Sequence, residues 1–385
     1  MNVLNVSSHI RNLVPYSPGK PISETKRELG LETVVKLASN ENPLGPSPKA
    51  LKAIQAALQE IHLYPDAAAY ELGQAFAERY GVPRECLVFG NGSNELIDLL
   101  VRVFCEPNKE AILTSDAAFV AYPICAQAAR VEVKTTPLTQ DLKFDLQAMA
   151  AQLRQPELAQ RVRLVFIANP NNPTGTYVNQ GELEAFLAEF GNREDLLVVL
   201  DEAYVEFVRA LDYPSGLELM KQYPGLVLLR TLSKVYGLAG LRVGALVARP
   251  ELADLLHRVR NPFNVNSLAQ AAAAAALSDQ DYLKRVQELT WSGLDYFYKE
   301  LEALGLKYWP SQGNFVLFDS LRDSSALFQS WLKRGVISRP VKNYGLATHI
   351  RLSVGLREEN ELAMSTLAEV LKEVPPSTQS AGDDK

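Results

Sequence analysis

The chain has 385 residues, of which 47% are hydrophobic, enough for a large core in more than one unit. Its net charge of −6, with acids and bases mixed along the chain, argues against a nucleic-acid groove or an anionic membrane surface as partner. Three cysteines without metal spacing (Cys86, Cys105, Cys125) read as reduced thiols of a cytoplasmic protein, with no metal site.

The N-terminal stretch MNVLNVSSHIRNLVPY lacks a charged start followed by an apolar run, which argues against a secretory signal. Residues 1–45 carry many prolines and glycines and read as an arm joining a smaller unit. Residues 49–60 and 69–80 look helical. CLVFG is a short apolar run, followed by the amphipathic pattern NELIDLLVRVF. EAILTS, VEVKTTP, RLVFIANP, LLVVLDEAY, LVLLRTLSK and GALVA are strand-like, with helices or loops between them. This alternation predicts an α/β unit over 46–255, with a mostly parallel sheet flanked by helices on both faces. The alanine run at 271–276 is too short to span a bilayer and reads as a tightly packed helix. Residues 256–372 read as an interdomain helix and a smaller α+β unit with strands NFVLF, GVISRPV and HIRLSVG. Residues 373–385 read as a disordered tail.

Five segments carry chemistry. In FGNGSNELI a strand meets two glycines and then a helix start. Gly92, Ser93 and Asn94 there offer backbone N–H groups and a hydroxyl to a phosphate. An ordinary turn capped by Ser93 or Asn94 explains that segment equally well, and Glu95 replaces the third glycine of a dinucleotide fingerprint. Asp201 follows an apolar strand and needs a cationic or protonated partner if buried. A protonated pyridine nitrogen is one such partner, and a helix-capping role is the plain alternative. In LLRTLSKVYGLAGLRVG, Thr231, Ser233, Lys234 and Arg242 surround a strand end. Desolvation and neighbouring positive charge would lower the pKa of Lys234 and make it a nucleophile toward an aldehyde. Asn169, in FIANPNNPTG, could bond a phenolic oxygen or merely shape a turn. Arg339 and Arg351 interrupt β-branched strand patterns and suit an anion, either a substrate's or an ordinary acidic side chain.

In order and spacing, LASNENPLGPSP, LYPD, FGNGSNELI, ANPNNPTG, LVVLDEAY, TLSKVYGLAGLRVG and IRLSVGLREEN resemble the fold-type-I pyridoxal-phosphate aminotransferases. Within that group the resemblance is greatest to the histidinol-phosphate aminotransferases, and it covers residues 15–370. It implies a seven-stranded-type sheet, pyridoxal phosphate as cofactor, and a homodimer with shared sites. Lys234 would form the Schiff base and move the proton. Asp201 would pair with the ring nitrogen. Tyr204 and Asn169 would bond the ring oxygen. Gly92, Ser93, Asn94, Thr231, Ser233 and Arg242 would hold the phosphate end, with Tyr64 reaching the neighbouring subunit's phosphate. Arg351, Arg339, Asn42 and the arm residue Tyr16 would take the substrate. The family's ring-stacking tyrosine is replaced by Phe119, which keeps an aromatic face and loses a hydroxyl. The reaction implied is ping-pong: histidinol phosphate and 2-oxoglutarate against imidazole acetol phosphate and glutamate. An aromatic amino-acid aminotransferase and a threonine-phosphate decarboxylase are alternatives on the same fold. A nicotinamide-dependent oxidoreductase is a remote one, because it leaves Lys234, Asp201 and Asn169 without a role.

Overall fold

The computed structural model describes residues 6–15 and 19–377. Its strands in chain order are β1 (Val35–Lys36), β2 (Leu87–Gly90), β3 (Ala111–Ser115), β4 (Glu132–Thr136), β5 (Val162–Ala168), β6 (Leu197–Asp201), β7 (Leu226–Thr231) and β8 (Gly244–Val247). There follow β9 (Tyr308–Trp309), β10 (Phe315–Asp319), β11 (Val336–Ile337), β12 (Arg339–Pro340) and β13 (His349–Ser353).

The large sheet has seven strands in the order β2-β8-β7-β6-β5-β3-β4. All neighbours are parallel except β8, which runs antiparallel to β2 and β7. Every residue of β6 and β7 is buried, as continuous Val/Leu runs require when helices cover both faces. Helix Ser93–Phe104 buries Leu96, Ile97, Leu99, Leu100 and Val101 against this sheet. Each such side chain contributes about 1.5–3 kcal/mol. A single Leu100→Ala exchange would cost about 2–5 kcal/mol by leaving a cavity.

The alanine run lies in helix Ser267–Leu277, capped by the Asn266 side chain, which accepts from the Ala269 N–H at 2.8 Å. Its small side chains let it pack closely on helices Pro48–Ala57 and Tyr70–Tyr80. The large core cluster therefore continues beyond residue 255, through Val286 and on to Phe315 of β10. Helix Gln280–Ala303 joins the two cores: Leu283 and Val286 lie in the large cluster, Leu294, Phe297 and Leu301 in the smaller one.

The smaller unit has a four-stranded antiparallel sheet, β12-β13-β10-β9, and a two-stranded parallel pair, β1 with β11. The N-terminal arm contains helix Ile22–Leu29 and β1, and its Val35 and Leu37 enter the smaller core. GVISRPV is two strands rather than one, because β11 pairs with β1 while β12 pairs with β13. Pro340 has no N–H to donate and sits in β12 at the sheet edge, where none is needed. Of the tail expected over 373–385, Glu373 instead closes helix Arg357–Glu373, residues 374–377 are also described, and the Ser377 N–H donates to the Leu321 carbonyl at 2.9 Å. The remainder lies outside the described residues. No described helix is long and apolar enough to cross a membrane.

Candidate active site

A cavity of about 420 Å³ opens at the C-terminal ends of β5, β6 and β7, where open α/β sheets receive ligands. One end is made of backbone. Gly92 stands at the N-cap of helix Ser93–Phe104 with φ +77°, and no side chain caps that helix. A Cβ on Gly92 would come within 2.3 Å of Arg242 Nη2, and one on Gly244 within 2.5 Å of the Ser93 nitrogen. Arg242, itself at φ +59°, donates to Ser233 Oγ at 3.3 Å and to the Ala239 carbonyl at 3.2 Å. Thr231 Oγ1 accepts from the Ser233 N–H at 3.1 Å. A helix start, a hydroxyl and a guanidinium thus converge where only glycine leaves room, a cradle suited to a phosphate dianion.

The floor carries Asp201, the last residue of β6. Its carboxylate accepts from Tyr122 Oη at 2.7 Å and from the Ala203 N–H at 3.1 Å. Burial pushes its pKa up to about 6 against those two hydrogen bonds, and Lys234 opposes the rise only weakly. A buried carboxylate in that condition suits a cationic N–H. Tyr204 is buried beside it, and its hydroxyl accepts from Asn40 Nδ2 at 2.9 Å and Asn172 Nδ2 at 3.3 Å. Phe119 lines the wall, edge-on to Tyr122 with ring centroids 5.8 Å apart.

Lys234 follows β7 and reaches into the cavity. Its amine donates to the Ser39 carbonyl at 3.1 Å and lies 5.8 Å from the Tyr204 ring centre. Burial lowers its pKa to about 8, helped by the positive charges of Arg351 and Arg242. Arg351, on β13, donates to Asn172 Oδ1 and to the Ala38 carbonyl. Ala38, Ser39 and Asn40 therefore bind Arg351, Lys234 and Tyr204 in turn.

The family model for aminotransferases of class I and II matches residues 32–367. The chain belongs to this family. It is 56% identical to histidinol-phosphate aminotransferase of Bdellovibrio bacteriovorus, over 97% of this chain and all of that one. It is 48% identical to the enzyme of that name from Anaeromyxobacter, over 95% of this chain and 99% of that one. Among solved structures, histidinol-phosphate aminotransferase from Sinorhizobium meliloti in complex with pyridoxal-5'-phosphate superposes with a TM-score of 0.85. That protein shares 28% identity, over 96% of this chain and 98% of its own.

Within this aminotransferase fold, Gly92, Ser93, Asn94, Phe119, Thr231, Ser233, Lys234, Arg242, Asp201, Tyr204 and Arg351 come together around the cavity. Asn169 does not join them. Its side chain is buried and spent on Val178, accepting from the N–H at 2.9 Å and donating to the carbonyl at 3.1 Å. Asn172, three residues on, faces the cavity instead. Asn42 is likewise spent on a turn, donating to the Val235 carbonyl at 2.9 Å and the Gly45 carbonyl at 3.1 Å. It anchors the backbone beside Lys234 rather than lining the cavity. Arg339 stands opposite Arg351 in register but lines an adjoining cavity of about 950 Å³, which shares Val120 and Ile124 with the first. Tyr64 is exposed and stacks on Phe263 at 4.7 Å. Tyr16 lies outside the described residues.

Sequence reasoning passed over Tyr122, Asn172, Asn40 and Ser39. The tyrosine of AAFVAY and the third asparagine of ANPNNPTG were visible signals. Ser39 and Asn40 stand in the segment LASNENPLGPSP, but nothing local gives them a role, since their partners lie 195 and 164 positions away.

Proposed function

We propose that this chain transfers the amino group of L-histidinol phosphate to 2-oxoglutarate, giving imidazole acetol phosphate and L-glutamate, with pyridoxal phosphate as cofactor. The observation that carries the reading is Lys234, a buried amine with a pKa of about 8, between the buried Asp201 carboxylate and the Gly92–Arg242 cradle. The residues present fit the cofactor. Gly92, Ser93, Asn94, Ser233 and Arg242 would hold its phosphate, Asp201 its ring nitrogen and Phe119 its ring face. Tyr204 and Asn172 would hold its ring oxygen. When bound, pyridoxal phosphate supplies a ring that withdraws electrons from the carbon bearing the amino group.

The chain's own residues do the rest. Lys234 is neutral in a substantial fraction near pH 8 and can take a proton from that carbon and return it. Asp201, when ionised, keeps the ring nitrogen protonated. Arg351 binds the anionic end of both substrates in turn, as ping-pong chemistry requires. Arg339, which lines the adjoining cavity, favours a second anionic group and hence a phosphorylated substrate.

A homodimer is part of this reading. Leu58, Ile61, Leu63, Tyr64 and Phe263 expose apolar surface near one another in sequence or by stacking, and that surface suits a second copy. Tyr64 would then serve the partner's phosphate. We read the large sheet with its helices as the cofactor-binding unit and the four-stranded sheet as the substrate-side unit. The cytoplasm is the proposed location.

Turnover with histidinol phosphate and with phenylalanine, each with 2-oxoglutarate as acceptor, tests the substrate. Clear preference for phenylalanine would overturn the phosphate reading. A purified protein that gains no visible absorbance with pyridoxal phosphate would overturn the cofactor.

A further inference from the structure

The Tyr204 hydroxyl has one hydrogen to donate and two lone pairs to accept with. Both lone pairs meet N–H donors, Asn40 Nδ2 at 2.9 Å and Asn172 Nδ2 at 3.3 Å. The orientation of each amide is set independently. A guanidinium can only donate, so Arg351 fixes Asn172 with its oxygen toward the arginine and its NH₂ toward the phenol. For Asn40 the reasoning begins at the backbone. The Asn40 N–H donates to Ser353 Oγ at 2.9 Å, which obliges that hydroxyl to point its hydrogen elsewhere. It donates to Asn40 Oδ1 at 2.8 Å, leaving the Asn40 NH₂ to face Tyr204. The Asn40 carbonyl is held in turn by Asn314 Nδ2 at 3.1 Å, and its backbone at φ +56° sits where asparagine is tolerated. Burial pushes the Tyr204 pKa to about 12, so the phenol keeps its hydrogen through the neutral range.

With both lone pairs taken, that hydrogen is left for the cavity, on the side where the Lys234 amine lies. We infer that Asn40, oriented by Ser353, is a positioning residue that turns the Tyr204 O–H into the cavity as an obligatory donor. Ser353 is on β13, two residues from Arg351, so the smaller unit sets the direction of a hydrogen bond on the floor of the larger one. The inference rests on the cofactor reading above. There the O–H would sit on the ring's 3-oxygen, stabilise its negative charge and ease loss of the neighbouring proton.

The test is the pH midpoint of the visible absorbance in cofactor-loaded wild type, Asn40→Gly, Ser353→Ala, Tyr204→Phe and the Asn40→Gly/Tyr204→Phe double variant. Glycine accepts the positive φ and adds no charge. Loss of one oriented hydrogen bond should raise the Asn40→Gly midpoint by about one pH unit. Ser353→Ala keeps Asn40 but frees its amide to turn, so its midpoint should move the same way by less, and it carries the test if Asn40→Gly does not fold. The double variant should titrate where Tyr204→Phe does, because a residue acting through the phenol has nothing left to act on. Unchanged midpoints in Asn40→Gly and Ser353→Ala, or full additivity in the double variant, would overturn the inference. A wild type that acquires no visible band overturns the cofactor reading instead, a separate result.

Discussion

The two ends of the cavity are built from different material. The end at Gly92 is backbone: a helix start, two glycines without room for a Cβ, and one guanidinium folded over Gly92. The other end is made of side chains brought from far apart, with Arg351 from β13 bonded to Asn172 and to the Ala38 carbonyl. A backbone cradle recognises one fixed group and tolerates little change in shape. A side-chain end can be retuned by substitution. The difference explains how a fold can keep one cofactor while its members change substrates.

Lys234 stands between the two ends, and its loss should have the largest effect. Lys234→Ala should lower turnover by about 10⁴-fold or more while both ends stay folded, measured by steady-state rates and thermal melting. Arg351→Ala attacks only the side-chain end. It should lower kcat/KM for anionic substrates by about 100- to 1000-fold with cofactor affinity nearly intact. Equal losses in both would break the division proposed here. Gly92→Ala attacks only the backbone end. The strained φ and the approach to Arg242 should weaken cofactor binding about 10- to 100-fold by equilibrium dialysis, with KM little changed. The smallest effect concerns pH. Below about pH 8 the Lys234 amine is mostly protonated, so capture of cofactor by the cofactor-free protein should speed up about fivefold between pH 7 and pH 8 and level off above. The linkage has a definite sign. Between about pH 8 and 10.5 the unfolded chain binds more protons at this lysine than the folded one, so its contribution to stability rises with pH across that window. Rapid-mixing absorbance and melts at several pH values check both.

The backbone end was the more legible in the sequence. Gly92, Ser93 and Asn94 adjoin one another, and Ser233, Lys234 and Arg242 lie within one loop, so local pattern was enough. Asp201 was legible because a carboxylate closing the run LLVVL has few reasons to be there. The side-chain end was read less well. ANPNNPTG offers two asparagines in the same local setting, and only the pairing of Asn169 with Val178 decides which is left for the cavity. Asn42 misled for the same reason, being a polar residue in a striking motif whose amide is consumed by its own turn. The division of GVISRPV between two sheets depends on β1, some 300 residues earlier, which no window of sequence contains. Asn40 was missed because its partner Ser353 is 313 positions away.

Residues 38–40 impose one more demand. Three neighbours in the chain each hold a different working side chain, Arg351, Lys234 and Tyr204, with no spacer between them. Ala38 and Ser39 act through carbonyl oxygens, so either could be exchanged for a residue that keeps its backbone path, whereas Asn40 acts through its side-chain amide and could not. An insertion or deletion of a single residue would not be forgiven, since it would shift every contact by one position at once. At Ala38 and Ser39 the count of residues is constrained more tightly than their identity.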